Sequence, residues 1–463
     1  MYFEQFYLGC LAHASYLLGS DGAAIVVDPQ RDVDIYIDAA QKKGLTIRAI
    51  FETHLHADFV SGHRELAERT GAKIYLSRAG GATFSHVAVD DGFTLQVGKL
   101  KFEVLATPGH TPESISLLVT DEEKGEQPWA VLTGDTLFIG DVGRPDLSPT
   151  HTPTELAGFL YDSLHHKLMT LPNTVLVYPA HGAGSLCGRN MRAERFSTIG
   201  TERLTNYALQ IGDRDEFVRQ MTANLPARPD YFLEDAAINR SGAPALAELP
   251  ALQPFTAPQL KAMLDNGATA LDVRPGADFA VAHVPGAVCI PLSGQFASWA
   301  GAVLGLSSRP VLIAATPEQL SEARVRLARI GVEDVAGYLD GGIEAWKEAG
   351  LATASLGQIA AQELKARLDK GDIGVLDVRR EAEFHAGHIA GADWHPLDRF
   401  KAALPEIPKD APVAVHCKSG YRSLVACSVL QRAGYHSVVD VAGGIDAWAA
   451  LGLPVEAAEE VGA

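Results

Sequence analysis

The stretch Thr53-His54-Leu55-His56-Ala57-Asp58-Phe59 decides how this chain folds and what it can hold. It follows an apolar run, Ile47 to Phe51, that reads as a buried strand. His54, His56 and Asp58 then alternate, so a loop leaving a sheet edge brings imidazole and carboxylate lone pairs together. Side chains of these types, converging in this way, are the donor set of a divalent metal.

Three later pieces have the same character. Thr107-Pro108-Gly109-His110-Thr111 and Leu132-Thr133-Gly134-Asp135-Thr136 follow β-rich runs, and Tyr178-Pro179-Ala180-His181-Gly182 follows Thr174 to Val177. In this order the four pieces resemble the metallo-β-lactamase superfamily. Its motif His-x-His-x-Asp-His is followed by a His, a bridging Asp and a last His, here matched by His110, Asp135 and His181. The chain departs at position 59, where the two-metal enzymes of that superfamily carry a histidine and Phe59 stands instead. A phenyl ring donates no lone pair, so the second metal site is crippled. What remains resembles the single-iron branch, the persulfide dioxygenases. That resemblance implies one Fe(II) per chain, held by His54, His110 and Asp135, with His56, Asp58 and His181 orienting the ligands or lining the pocket. Two histidines and one carboxylate leave positions open for oxygen and a sulfur ligand, as in non-haem Fe(II) oxygenases. Zinc or manganese in the same three residues stays open.

The chain has 463 residues, 47% of them hydrophobic, enough for roughly three domains. A net charge of −18 without a basic patch or arm argues against a nucleic-acid partner. The N-terminus lacks a basic region followed by an apolar core, and no apolar run approaches a membrane span, so a cytoplasmic protein without membrane contact is expected. Cys10, Cys187, Cys289, Cys417 and Cys427 are odd in number and scattered, which suits reduced thiols rather than a disulfide framework.

Residues 1–240 carry the whole metal signature and alternate strand-like and helical runs, which suits an αβ/βα sandwich. Residues 241–254 read as a linker rich in Ala, Pro and Gly. The chain then repeats itself. Leu271-Asp272-Val273-Arg274 with His283-Val284-Pro285-Gly286 parallels Leu376-Asp377-Val378-Arg379 with His388-Ile389-Ala390-Gly391, and Gly341-Gly342-Ile343 answers Gly443-Gly444-Ile445. Buried-strand runs alternating with helices predict two α/β domains with parallel sheets, over 255–352 and 355–458. Both copies resemble rhodanese domains, so the whole chain is expected to be an α/β multidomain protein.

The copies differ chemically. In the second, the strand Val413 to Val415 runs into His416-Cys417-Lys418-Ser419-Gly420-Tyr421-Arg422-Ser423 and then a helix. Cys417 thus lies at a helix N-terminus, with Lys418 and Arg422 adding positive charge, a setting that favours thiolate. The loop Lys418, Ser419, Gly420, Tyr421, Arg422 and Ser423 has the short length of rhodanese loops, where the cradle suits a cysteine persulfide; related phosphatase loops are one residue longer. The resemblance implies sulfur transfer through Cys417. In the first copy the equivalent turn is Ala314-Ala315-Thr316-Pro317-Glu318, which has no nucleophile, so this copy is expected to be inactive. Cys289 and Cys427 read as core residues.

Near the metal, Arg144 in Gly143-Arg144-Pro145-Asp146 has two readings, an anchor for substrate carboxylates or an ion pair with Asp141 or Asp146. Cys187, in a glycine-rich run six positions after His181, is either a thiol at the pocket mouth that exchanges sulfur or an ordinary cysteine, and Arg189 and Arg192 are placed to meet an anionic carrier. The resemblance as a whole implies a dioxygenase that converts a small-molecule thiol persulfide of glutathione or coenzyme A type and O2 to sulfite plus thiol, coupled to sulfur transfer that makes or uses thiosulfate. A homo-oligomer, dimer or tetramer, is expected. A glyoxalase II-like thioester hydrolase fused to a sulfurtransferase, and a sulfur carrier with a structural metal domain, are the alternatives.

Overall fold

The computed structural model describes residues 1–223, 225 and 227–457. Two compact units separate, Met1–Leu249 with Ala328–Gly331, and Pro250–Leu327 with Val332 onward.

The first unit holds two six-stranded sheets. One runs in chain order from Tyr2–Leu8 to Val87–Val89, antiparallel through its first three strands and parallel from Ala23–Val27 on. The other runs from Thr94–Val97 to Ser197–Thr198, with one parallel pair, Pro128–Gly134 beside Leu176–Pro179. Strand side chains alternate between faces. On His13–Ser20, Tyr16 and Leu18 point between the sheets, toward Val27, Phe51, Phe102 and Leu132. Leu17 faces the other way, joining Val26 and Ile50 under Tyr36, Ala40 and Leu66 of two covering helices. The outer face of the second sheet, Leu118, Val131 and Val177, is covered by Ala157, Leu160 and Leu164 of the helix Pro153–His166. That helix starts where its sequence says it should, at Thr152, with Glu155 completing a capping box and proline in the first turn. The layers are therefore helix, sheet, sheet, helix, the αβ/βα sandwich expected from the sequence.

This layering sets the site. Thr46–Phe51 ends just before His54, Leu100–Ala106 before His110, Pro128–Gly134 at Asp135 and Leu176–Pro179 before His181. Four strand ends thus deliver their residues to one edge of the sandwich. Gly134 has φ +52°, and a Cβ there would stand 2.6 Å from Thr53 Oγ1, so the turn into Asp135 needs glycine.

The second unit contains two five-stranded parallel sheets built alike. The repeat seen in the sequence recurs in its buried bonds. Arg274 forks onto Asp272 as Arg379 does onto Asp377, each with a closest contact of 2.6 Å. His283 stacks on Phe279 at 3.8 Å and His388 on Phe384 at 3.9 Å. The run read as a linker carries a short 3-10 turn, Leu246–Glu248, and its end enters the first strand of this unit, Gln253–Phe255.

Phe102 is fully buried at the centre of the sandwich. Phe102→Ala is expected to destabilise the first unit by about 3–5 kcal/mol, the cost of the lost contacts plus the cavity; the shift of its urea midpoint measures this.

Candidate metal centre and cysteine loop

His54, His110 and Asp135 come together, with one donor atom from each lying within 4.8 Å of the others. All three are buried to 1% exposure or less. The Nε2 atoms of His54 and His110 approach Asp135 Oδ2 at 3.9 and 3.4 Å, yet neither has a hydrogen-bond partner. Buried polar atoms are rarely left so. Their other nitrogens explain the orientation. Thr53 Oγ1 donates to Asp28 at 2.9 Å and so accepts from His54 Nδ1 at 3.0 Å, while His110 Nδ1 donates to the Arg144 carbonyl at 3.0 Å. Each Nδ1 carries the proton, and each Nε2 turns a lone pair inward. Burial, reinforced by His56, pushes His54 well below the ordinary imidazole range, and burial lowers His110 too. Neutral imidazoles and an ionised carboxylate are what a metal ligand set must be. The two-nitrogen, one-oxygen set therefore fits a divalent metal cation.

His181 lies between two carboxylates, with Nδ1 2.8 Å from Asp135 Oδ1 and Nε2 2.9 Å from Asp58 Oδ2. Burial opposes a charge on this ring, but Asp135 and Asp58 outweigh it and hold the pKa well above the ordinary value. His56 turns elsewhere, to Asp28 at 3.2 Å and Glu52 at 3.5 Å, and His63 meets Glu52 at 3.3 Å. Phe59 is buried, its ring 4.1 Å from that of His13 and 4.4 Å from that of His56. Asn239 holds this loop by donating to the carbonyls of His56 and Phe59, both at 2.7 Å. Asp28, Glu52, His63, Asn239 and His13 were not found by sequence reasoning. Asp28 alone had a local signal, the Asp-Pro that ends a strand.

Cys187 does not stand at an open mouth. It is 1% exposed and grouped with Asp58 and His181, and burial followed by the Asp58 and Asp135 carboxylates pushes its thiol well up. Arg144 is the ion pair of its two readings, with its fork on Asp146 at 2.6 and 2.8 Å. Arg192 meets Glu202 at 2.8 Å and Arg189 donates to the Met221 carbonyl at 2.9 Å. A groove lined by Gln5, Tyr7, Pro179 and Arg195 reaches His181. Arg195, which the sequence did not single out, lays its guanidinium 3.5 Å over the Tyr7 ring and is exposed.

In the second unit the strand Val413–His416 delivers Cys417, and the helix Tyr421–Arg432 begins four residues on. Gly420 N–H donates to Cys417 Sγ at 3.1 Å. The Ser423 hydroxyl donates to Asp440 at 2.6 Å and lies 3.6 Å from the same sulfur. Lys418 and Ser419 are exposed at the rim. Arg422 does not add net charge as expected, because both its terminal nitrogens bond Glu383, at 2.6 and 2.7 Å. In the first copy Gln319 Oε1 accepts from Ala315 N–H at 2.8 Å across the equivalent turn, and no thiol is there. Cys289 and Cys427 are buried, and burial pushes both thiols well up.

Residues 8–181 match the Metallo-beta-lactamase superfamily, and residues 256–349 and 360–451 each match the Rhodanese-like domain. The fold and its ligand set therefore define a metal-binding enzyme of the metallo-β-lactamase superfamily fused to tandem rhodanese domains. The chain is 33% identical over 221 residues to the mitochondrial persulfide dioxygenase ETHE1 of Bos taurus, covering 46% of this chain and 77% of that protein. It is 41% identical over 103 residues to a sulfurtransferase of Allochromatium vinosum, covering 22% of this chain and 96% of that protein. A crystal structure from Staphylococcus aureus, described as a metallo-beta-lactamase, is 34% identical with a TM-score of 0.66, covering 73% of this chain and 98% of that one. The chain belongs to the persulfide dioxygenase family, in the form that carries C-terminal rhodanese domains.

Asp135→Ala removes the carboxylate that three imidazoles share. Metal analysis of the purified variant is expected to find at least a tenfold drop in bound metal per chain, as removal of a ligand itself should cost no less than loss of its hydrogen-bonded support.

Proposed function

We propose that the first unit oxidises a low-molecular-weight thiol persulfide, of glutathione or coenzyme A type, with dioxygen. The balanced reaction is RSSH + O2 + H2O → RSH + sulfite + 2 H+. The observation that supports it best is the buried ligand set His54, His110 and Asp135, with Phe59 standing where the two-metal enzymes carry a histidine. Iron(II) in that set would supply one-electron chemistry with dioxygen that no side chain performs. The chain's own residues do the rest. Thr53 and the Arg144 carbonyl fix the ligand tautomers, Phe59 keeps the pocket dry, and His181 Nδ1 bonds the Asp135 carboxylate. Cys187, buried and held as a thiol by its surroundings, is a poor nucleophile for sulfur exchange. Arg144, Arg189 and Arg192 are bonded within the protein, whereas Arg195, exposed over the Tyr7 ring, offers a positive charge to the carrier's anionic groups.

Cys417 carries a sulfane sulfur in the second unit. Its persulfide gives that sulfur to sulfite, forming thiosulfate and restoring the thiolate. Fusion of the two activities raises the effective concentration of one product at the next site. Thioester hydrolysis by a two-metal centre is disfavoured, because Phe59 stands where the further ligand would be.

Oxygen uptake by anaerobically iron-loaded protein given glutathione persulfide tests the reading. Uptake with sulfite formed is expected, abolished by His110→Ala and retained by Cys417→Ser; no uptake with either glutathione or coenzyme A persulfide would sink it. Arg195→Ala should raise KM for glutathione persulfide roughly tenfold, the loss of one charge-assisted contact, with little change in kcat. Steady-state oxygen-electrode kinetics separate the two constants.

A further inference from the structure

We infer that the rhodanese copy whose loop lacks a cysteine is a working part of the sulfur-transfer site, positioning the Cys417 loop through Tyr421. The inference rests on the reading of Cys417 as the sulfur carrier.

Both copies lie in one compact unit. The first copy ends its sheet in the edge strand Val288–Cys289, and the helix Tyr421–Arg432 of the second copy covers that edge. Cys289 N–H donates to Ser428 Oγ at 2.9 Å, and a Cβ on Gly276 would stand 2.4 Å from Leu424 Cδ2. Exposed edges need such cover, and this much is ordinary packing. Tyr421 does something more specific. It is the first residue of the helix, directly after Gly420, whose N–H donates to the Cys417 sulfur. Its side chain leaves the loop for the first copy, where its hydroxyl donates to the Pro291 carbonyl at 2.7 Å.

The segment that receives it is itself fixed. Arg326, 7% exposed, donates to the carbonyls of Leu292 and Gly294, on either side of the turn, and is paired with Glu322 at 3.1 Å. Gly294 has φ +71°, and a Cβ on it would press to 3.3 Å from the Tyr421 ring. The ring is thus bounded by Gly294 and tethered at its hydroxyl. Its backbone cannot move without moving the Gly420 N–H that faces the sulfur. Backbone donors at a helix start are what stabilise a thiolate. Tyr421 is therefore a positioning residue, and the first copy supplies its anchor.

The test is sulfur transfer by the full-length protein from thiosulfate to cyanide. The Cys417 thiolate takes the outer sulfur of thiosulfate and releases sulfite, and cyanide then removes it as thiocyanate, restoring the thiolate. Tyr421→Phe in the second copy and Gly294→Ala in the first should each lower kcat by roughly three- to tenfold, the size of one hydrogen bond, with KM for thiosulfate little changed. Both should move the pH profile of Cys417 alkylation, followed by peptide mass mapping, toward higher pH. Wild-type kcat and alkylation profile in both variants would overturn the inference. So would lowered thermal stability with an unchanged alkylation profile, which would leave the contact as packing alone. Cys417→Ser must be dead in the same assay; transfer that survives there would overturn the reading of Cys417 itself.

Discussion

The first unit depends on one carboxylate. Asp135 is approached by His54, His110 and His181, and burial that should discourage its charge is outweighed by those rings. Two of the three turn toward it an Nε2 that has no hydrogen-bond partner, an arrangement that a cation among them completes. The surrounding design serves that need. A glycine lets the chain turn at Gly134, and Gly143 passes so near that a Cβ would stand 2.0 Å from the Asp135 carbonyl oxygen. The Arg144 carbonyl that follows then locks His110.

The sequence showed the ligands because their order along the chain is carried by short local patterns. It did not show what those ligands lean on. Asp28, Glu52, His63 and Asn239 are brought in by strand pairing and by a helix that begins at Phe232, far along the chain, and apart from the Asp-Pro at Asp28 nothing near them marks the meeting. The sandwich was legible for a similar reason and to a similar depth. Strands such as His13–Ser20, buried along their whole length, lose the alternation that reveals which face a residue takes. The kinds of element could be read, but the order of strands within each sheet depends on distant contacts.

Charged residues were the least legible. Arg189 and Arg192 read as contacts for an anionic carrier, Arg144 as either an anchor or an ion pair, and Arg422 as a charge on the cysteine loop, and each has a partner inside the protein. A sequence displays charges but not their neutralisation. The opposite holds for the duplicated half, where Asp-Val-Arg in each copy does predict its partner, because the fork closes within two residues.

The Arg422–Glu383 pair bears on what the cysteine loop will admit. A guanidinium already matched by a carboxylate leaves the cavity lined by backbone N–H groups and a hydroxyl, with Lys418 as the cation at its rim. Backbone dipoles can offset about half a unit of charge at a helix start. That is a good match for the single, diffuse charge of a persulfide sulfur and a poor one for a compact dianion such as a phosphate ester. Glu383 thus lowers the positive charge that the loop's sequence displays.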